Sequence, residues 1–541
     1  MGRFVKHELS LAPVSVKPSF VSHTIKSTAR NRAAILLAIG VSIFAASICY
    51  WSMSRGVGIT ADSLVYLGAA ESIAAGRGVT TVASHYTPLL PAGAPLTIFP
   101  PAYPLMLAAL IKLGFPVTLA AKWLNVVITA VTVLLIGIIT CLGTRGSLAA
   151  TIVSVLFFVT SAQFFNIYTL AWADAPFIMF CLLALVLIMM HVARPHRAVL
   201  IAAALAAGFA MLTRYVGVTI IPAKIVTVLF SRRARSRDRV NDSLLLIIVS
   251  ALPLSAWLIR NLLLTNSAAA RSLAFHLPGR SDFELFMNSL ALLWMPWNIS
   301  LGWKIPLFAC AGALITAVTI LVISKSKENH EAAAPLLTGT FAAMYLSFLL
   351  IYNTFMNPAV EFDTRVLAPL FVFVNLTAVT AIYQVGKSRR NKSWWPAFLA
   401  AAFLLIVVNA AHAVPFMIQR HDNGSGYASR EWSESATVDF LKRSNDGRII
   451  YSNGVDVIAF LTGKDALRLP AKIDPVSWQV NQDFDRQMEA MKIEVAQQRA
   501  VIVYFDRIQW RYYLPSREEL EQGYKLPIMQ QLGDGVVFGS Q

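Results

Sequence analysis

The sequence predicts a polytopic α-helical membrane protein that ends in an extracytoplasmic α/β domain. Three observations predict this fold class: a low charge content, many long apolar runs, and a change of composition near residue 415. Of the 541 residues, 56% are hydrophobic and only 14% are charged. A soluble domain carries roughly 25% charged residues, so most of this chain is expected to lie in lipid.

The charge balance is strongly basic, with a formal net charge of +17. In a membrane protein this excess is typical of basic loops on the cytoplasmic side. The interleaved basic and aromatic residues that hold a nucleic-acid backbone are absent from any one segment, so nucleic acid is not an expected partner. The four cysteines lie inside apolar runs and show neither a CxxC pair nor a metal-ligand spacing.

The first element is a basic N-terminal segment, residues 1–32, followed by an apolar run at 33–53. This run is about 20 residues long, which suits a spanning helix and exceeds the roughly 7–15 residues of a cleaved signal's apolar region. We therefore expect residues 1–32 to be cytoplasmic and the run to be an uncleaved first span.

About eleven apolar runs are long enough to cross a bilayer, where backbone polar groups need helical partners. They lie near residues 33–53, 119–142, 148–165, 173–192, 198–213, 215–230, 243–264, 304–324, 334–352, 365–385 and 396–414. With this count, the basic clusters "HVARPHR", "SRRARSRDR" and "GKSRRNKS" fall on the same side as the N-terminus. That agreement with the positive-inside rule fixes the predicted topology, with residues 33–414 forming the membrane domain.

The segment "PPAYPLMLAALIKLGF" (100–115) is apolar but about 15 residues long, and it opens with two prolines. Counted as a span, it would place every later basic cluster outside. We therefore predict a helix that lies in the outer interface, inside a long first outer loop at 54–118.

The hydrophilic tail, residues 415–541, reads as an α/β domain. "SESATVDFLKR" and "FDRQMEAMKIEVAQQR" have helical patterns, and "RIIYS" and "AVIVYFD" are strand-like. "GDG" between "IMQQL" and "VVFG" predicts a terminal hairpin. The tail contains no P-loop, GxGxxG or HExxH motif.

Charged and polar residues gather at the outer ends of the predicted spans. They are Asp62, Glu71, Asp174, Arg214, Arg260, Asn261, Glu361, Asp363 and Arg365. An ionised group near hydrocarbon costs about 2.5–3.5 kcal/mol on insertion scales, so it persists where a partner, water or a ligand compensates it. The set predicts a mixed-charge cavity suited to a phosphate-bearing substrate and a nucleophile that gives up a proton.

Six members of this set also have a purely structural interpretation, and for Glu71 it is a solvated helix face. Asp62 and Asp174 stand where helix-capping acids belong. Arg214 and Arg260 could extend from span ends toward the interface, and Arg365 could pair with an acid of its own loop. The single residues are weak indications, and the inference depends on their shared location.

Taken in order, several stretches resemble the GT-C superfamily of membrane glycosyltransferases, in the branch that uses polyprenyl-phosphate sugars, such as aminoarabinose and protein mannosyl transferases. These stretches are "ADSLVYLGAAESIAAGRG", "FPPAYPLMLAALIKLG", "AWADAPFIMFCLLAL", "AMLTRYVGVTIIP", "WLIRNLLLTN" and "DTRVLAPLFVFV". The resemblance covers roughly residues 33–385. Two departures are Ser63, where many relatives carry a second acid, and the absence of the tryptophan-rich signature of oligosaccharyltransferases.

The resemblance implies transfer of a sugar from a lipid-linked donor on the outer face of a membrane, expected to be the bacterial plasma membrane. It assigns catalytic roles to Asp62 and Asp174, and donor-phosphate binding to Arg214, Arg260 and Arg365. The expected step is a single displacement with inversion, in which Asp62 is the base. Asp174 is expected either to orient the acceptor or to be linked to a divalent metal ion, although no cofactor is required.

The expected partners are a polyprenyl-phosphate sugar donor, membrane lipids and a lipid, glycan or protein acceptor. A transporter or flippase for an anionic lipid or solute is the alternative from another functional class. It predicts internal repeats and charges near the bilayer midplane. The sequence shows no internal symmetry, and its charges lie at one end of the spans, so the transferase is favoured.

Overall fold

The computed structural model describes residues 18–80, 93–230, 236–269, 271–275, 277–295, 299–325, 333–357, 360–388, 394–444, 447–474 and 479–540. Its first half is helical. The helices are α1 (Pro18–Ser52), α2 (Ala61–Ala74), α3 (Ala102–Lys112), α4 (Val117–Gly143), α5 (Leu148–Val159), α6 (Ala162–Tyr168), α7 (Asp174–Ala193), α8 (Arg197–Thr213) and α9 (Ile220–Phe230). A short 3-10 segment, Tyr215–Thr219, joins α8 to α9.

The later membrane helices are α10 (Ser236–Thr265), α11 (Arg280–Trp294), α12 (Leu301–Lys325), α13 (Ala333–Phe355), α14 (Thr364–Ser388) and α15 (Trp394–Asn423). Two short strands, β1 (Ser272–Leu273) and β2 (Met356–Asn357), pair antiparallel between them. Among the candidate spans, α4, α7 and α14 are the most buried, whereas α12 is largely exposed. Its exposed leucines and isoleucines are the side chains expected to face lipid.

Eight helices of the described residues are long and apolar enough to cross a membrane. The candidate spans are Arg30–Ser52, Val117–Gly143, Asp174–Ala193, Arg237–Thr265, Leu301–Val322, Ala333–Phe355, Thr364–Gly386 and Pro396–Asn423. The predicted fold class, a multi-pass helical membrane protein with a C-terminal sheet domain, is confirmed. The count of about eleven spans stays a prediction.

The apolar run predicted at 148–165 forms two helices in the structure. It forms α5 and α6, which bend by 65° at a short break. Ser161 starts α6 by accepting a hydrogen bond from the Phe164 N–H, 3.3 Å away, so its side chain caps the second helix. Taken together, the bent pair would be a ninth span.

Three further apolar helices are shorter than the eight. Predicted runs 198–213 and 215–230 form α8, with 17 residues, and the segment around α9. Helix α3 has 11 residues, too few for the roughly 20 that a span needs. The part of the first outer loop that is described therefore holds two helices, α2 and α3, that pack on each other.

The C-terminal part forms a five-stranded sheet. Its elements are α16 (Arg430–Ser433), α17 (Ala436–Arg443), β3 (Ile449–Ser452), α18 (Val455–Thr462), β4 (Leu467–Arg468), α19 (Phe484–Ala496), β5 (Ala500–Phe505), β6 (Ile528–Leu532) and β7 (Gly535–Phe538). The strand order is β4-β3-β5-β7-β6, with β3 parallel to β4 and β5, and β7 antiparallel to β5 and β6. The helices, strands and terminal hairpin predicted for the tail are confirmed.

Candidate active site

Four of the five predicted site residues converge at one place. Asp62 lies in the first turn of α2, Asp174 is the first residue of α7, and Arg365 is the second residue of α14. Arg214 follows the last residue of α8 directly. The fold therefore brings together the ends of four helices that are far apart in sequence.

These four side chains form a continuous series of ion pairs. Arg365 Nη1 donates to Asp62 Oδ2 over 2.6 Å, and its Nε donates to Asp174 Oδ2 over 2.8 Å. Arg214 Nη1 contacts the other oxygen of Asp174. The order is Asp62, Arg365, Asp174, Arg214, so that every carboxylate is next to a guanidinium.

Neither acid caps its helix, and the capping interpretation of Asp62 and Asp174 is wrong. The N-cap of α2 is Thr60, whose hydroxyl forms a reciprocal capping box with Ser63. The N-cap of α7 is Ala173, which makes no side-chain hydrogen bond there. Ser63, the departure from the family pattern, thus stabilises the start of α2 and leaves the Asp62 carboxylate to the site.

Helix dipoles favour three of the four charges. Both carboxylates stand in the first turn of a helix, where the dipole stabilises a negative charge. Arg214 stands at a helix C-terminus, where the dipole stabilises a positive charge. Arg365 is the exception, because a cation in the first turn of α14 opposes the dipole. Two carboxylates and the Trp172 ring, 4.2 Å from its guanidinium, compensate Arg365.

The two acids differ sharply in exposure. The side chain of Asp62 is 37% exposed, whereas that of Asp174 is 1% exposed. An ion as buried as Asp174 needs close partners to offset its lost hydration, and two arginines supply them. Asp62 is therefore the accessible carboxylate of the two, and the buried Asp174 contacts both Arg214 and Arg365.

Three contributors to the site were missed by the sequence reasoning: Trp172, Thr60 and Tyr66. Trp172 Nε1 donates to the Thr60 hydroxyl over 2.8 Å, which ties the start of α2 to the segment before α7. Burial raises the pKa of Tyr66, and the nearby Asp62 charge raises it further, so its hydroxyl stays protonated. The available signals were the position of Tyr66 one helical turn after Asp62 and that of Trp172 inside "AWADAP".

The alternative interpretation, in which Arg365 pairs with an acid of its own loop, is wrong. Arg365 instead pairs with Asp62 and Asp174, from two other helices. Asp363, two residues before it, accepts the Val366 N–H at 2.8 Å and so caps α14.

Arg260 is not brought to this cluster. Its Nη1 and Nη2 donate to the backbone carbonyls of Leu96 and Val79, over 3.0 and 2.9 Å, and its guanidinium lies over the Trp257 ring. The Tyr215 hydroxyl reaches the adjacent Thr97 carbonyl over 2.9 Å. These contacts hold together the two ends of the backbone that flank residues 81–92, which lie outside the described residues.

Replacing Arg260 by Ala should loosen this backbone pair, because two charge-assisted hydrogen bonds to carbonyls are lost. We expect the Leu96 amide, which donates to the Val79 carbonyl, to exchange its hydrogen faster in the R260A protein. Arg280→Ala is the control, since the Arg280 side chain is 89% exposed and pairs only with Glu284 among its described contacts. Unchanged exchange at Leu96 would contradict the clamping role of Arg260.

The donor set at the site does not resemble a metal centre. Both Asp174 oxygens face arginine nitrogens. Within the described ranges, no three His, Cys, Asp or Glu side chains are grouped so that they could hold a metal ion. We therefore derive no step through a metal.

Comparisons with known proteins agree with the fold. Residues 99–259 match the model of the dolichyl-phosphate-mannose-protein mannosyltransferase family. This range contains Asp174 and Arg214, and it covers less than half of the chain. A search of curated proteins found no match.

Among solved structures, ArnT from Cupriavidus metallidurans in the apo state superposes with a TM-score of 0.56 at 13% identity, over 93% of this chain and 97% of that one. The same protein bound to undecaprenyl phosphate gives 0.54 at 12% identity, with the same coverage of both chains.

The archaeal oligosaccharyltransferase AglB from Archaeoglobus fulgidus, in complex with an inhibitory peptide and a dolichol-phosphate, gives a TM-score of 0.55 at 14% identity, over 89% of this chain and 70% of that one. At these identities the likeness concerns the fold. The chain therefore has the fold of the GT-C superfamily, and residues 99–259 relate it to the polyprenyl-phosphate-sugar branch, as the sequence resemblance predicted.

Proposed function

We propose that this protein is an integral membrane glycosyltransferase that moves a sugar from a polyprenyl-phosphate-linked donor to an acceptor on the extracytoplasmic face. The observation that carries the proposal is the series of ion pairs, in which an accessible carboxylate, Asp62, and a partly exposed arginine side chain, Arg214, lie at opposite ends. A base and an anion-binding group are the two things that such a transfer needs.

Asp62 is the proposed base. An acceptor hydroxyl attacks the anomeric carbon, and its proton passes to the carboxylate as the new carbon–oxygen bond forms. The hydrogen bond from Arg365 uses Oδ2 of Asp62 and fixes the orientation of the carboxylate. The attack occurs on the face opposite the leaving group, so the configuration inverts.

Arg214 is the proposed partner of the leaving phosphate. The bond between the anomeric carbon and the phosphate oxygen breaks with its electron pair on the phosphate, and a fixed guanidinium stabilises this charge. A guanidinium carries five N–H donors, and the Asp174 contact engages Nη1 of Arg214. The 23% exposure of the Arg214 side chain agrees with a free edge for the phosphate.

Asp174 and Arg365 are proposed to shape the site. With 1% exposure, Asp174 is too buried to reach an acceptor, so orienting the two arginines is the role that its contacts support. Arg260 is proposed to hold the first outer loop rather than to bind phosphate, because its described hydrogen bonds go to backbone carbonyls and to Asn261.

The solved relatives support the class of donor. ArnT was crystallised with undecaprenyl phosphate and AglB was solved with a dolichol-phosphate, which are both polyprenyl-type phosphates. The family resemblance of the sequence supports a bacterial plasma membrane protein, and its basic loops support a cytoplasmic N-terminus and an extracytoplasmic tail. The acceptor is proposed to be a lipid, a glycan or a protein hydroxyl.

The test is acceptor-dependent cleavage of a polyprenyl-phosphate sugar by the purified protein in lipid nanodiscs. We expect polyprenyl phosphate to be released only when a lipid, glycan or peptide acceptor is added, and the product to have the opposite anomeric configuration. Release without acceptor would contradict transfer, and retained configuration would contradict a single displacement. Movement of uncleaved donor across a proteoliposome membrane would favour the transporter.

A further inference from the structure

A short strand-like segment, Gly58–Ile59, lies immediately before the helix that carries Asp62. On one side it joins residues 169–171: the Gly58 N–H donates to the Thr169 carbonyl over 2.8 Å, and the Ala171 N–H donates back to Gly58 over 3.0 Å. On the other side, the Tyr427 N–H donates to the Ile59 carbonyl over 2.7 Å. We call this arrangement the three-segment bridge.

The three-segment bridge requires glycine at two positions. A Cβ on Gly58 would overlap the Leu170 and Ser425 side chains. Gly426 has a φ of +56°, and a Cβ there would overlap the Ile59 backbone. The close approach of the segments is therefore a built feature of this sequence.

Each segment of the bridge leads to a different functional part. Gly58–Ile59 leads through the Thr60 cap to Asp62, and residues 169–171 lead through Trp172 to Asp174. The third segment belongs to the connection between α15 and the C-terminal sheet domain. The bridge thus links the two acids of the candidate site to that domain.

The side chain of Tyr427 continues the link into the sheet domain. Its hydroxyl donates to Asp456 Oδ2 over 2.8 Å, and Arg511 Nη2 donates to the same oxygen over 2.7 Å. Arg511 also donates to the Asn453 carbonyl. Asp456 and Arg511 are 0% and 3% exposed, so the pair is shielded from water.

The buried pair depends on the Tyr427 hydroxyl. Burial raises the pKa of Tyr427 well above its ordinary value, and the Asp456 charge adds to this, so the hydroxyl stays protonated and remains a donor. Burial opposes the charge of Arg511, but the Asp456 carboxylate more than offsets it and raises the Arg511 pKa. A buried carboxylate that loses a hydrogen-bond donor raises the free energy of the folded protein. This cost opposes displacement of Tyr427 from Asp456.

The helix that carries Asp456 makes a second contact with the site. Asp456 lies in the first turn of α18, and α18 packs against α2, the helix of Asp62. The sheet domain therefore touches the Asp62 helix directly and also through the bridge.

We propose that Tyr427, Asp456 and Arg511 are positioning residues through which the C-terminal domain holds Asp62 in its reactive geometry. The domain thereby completes the active site, acting on Asp62 through the three-segment bridge. The catalytic part of this inference rests on the function proposed above for Asp62.

The decisive variant is Tyr427→Phe, which removes the bond to Asp456 and keeps the backbone bond to Ile59. Tyr451→Phe is the matched control, because the Tyr451 hydroxyl makes an equal 2.8 Å bond to Glu494 in the same sheet domain, away from the bridge. We expect Y427F to lower kcat on the order of tenfold and to leave the donor KM within about twofold. Y451F should change neither.

Two further measurements separate positioning from general damage. In the Asp62→Asn background, Y427F should cause no additional loss, since the group that it positions is already gone. In the full-length protein without substrate, the amides at 58, 171 and 427 should exchange faster in Y427F and remain unchanged in Y451F.

A raised donor KM at normal kcat, equal kcat for Y427F and Y451F, or unchanged exchange at the bridge would overturn the proposal. If the wild-type protein shows no transferase activity, the proposed function fails by itself. The exchange comparison still decides whether Tyr427 anchors the bridge.

Discussion

Replacement of Asp62 by Asn is expected to reduce acceptor-dependent turnover by about 10²–10⁴-fold, the range that general base catalysis contributes. Asn retains a carbonyl oxygen that can accept the hydrogen bond from Arg365, so the fold and donor binding should persist. What is lost is the carboxylate that takes the acceptor's proton. The measurement is steady-state release of polyprenyl phosphate, together with the KM for the donor.

Glu71→Gln is the matched control for Asp62→Asn. Glu71 lies on the same helix as Asp62, and its replacement by Gln also removes one negative charge. Glu71 is absent from the described ion pairs of the site. We expect E71Q to retain near-normal turnover. Near-normal turnover of D62N, or equal losses in both variants, would remove Asp62 from its proposed role.

Replacement of Arg365 by Met is expected to damage both stability and activity. Arg365 contacts both acids, and without it the Asp174 carboxylate, 1% exposed, loses one of its two cationic neighbours. Removing one partner of a buried pair costs about 3–5 kcal/mol. We expect a lower midpoint of thermal unfolding and a loss of turnover of at least the order of 10²-fold, because a displaced carboxylate no longer meets the acceptor.

Two variants make the Arg365 result interpretable. Arg365→Lys keeps the charge but lacks the planar fork that bridges two carboxylates, so it should restore stability more than turnover. Arg280→Met removes an arginine from an exposed ion pair, of a kind that contributes about 0–1 kcal/mol. If R365M unfolded like R280M and kept its turnover, the bridging role would be wrong.

Much of the site was predictable because its charges lie at the same ends of the predicted spans. Four of the five predicted residues meet in one series of ion pairs, as their shared position in the predicted topology implied. Their individual partners were not predictable. Arg365 looked able to pair within its own loop, but its partners are 191 and 303 residues away in sequence.

Arg260 shows the limit of reasoning from side-chain types. An arginine at the end of a span has the same local pattern whether it meets a phosphate or a backbone. Its partners here are the carbonyls of Val79 and Leu96, and every residue carries a carbonyl. The bend at Ser161 could not be predicted either, because the apolar run continues across the break between α5 and α6.

The secondary structure of the tail followed from clear periodicities, but its connection to the site did not. Tyr427 reads as an ordinary aromatic residue between "GSG" and "ASR". Its importance arises from Asp456 and Arg511, which reach it only after the sheet has formed. Such pairings between distant segments leave no local sequence pattern.

The series of ion pairs also sets an order on the protein's biogenesis. Because chains emerge from the ribosome N-terminus first, Asp62 and Asp174 reach the membrane before their arginines exist. Arg214 arrives with the next helix, whereas Arg365 arrives only after α10 to α13 have been made. Insertion of α14 is therefore the late step that gives Asp62 its arginine partner and gives Asp174 its second one.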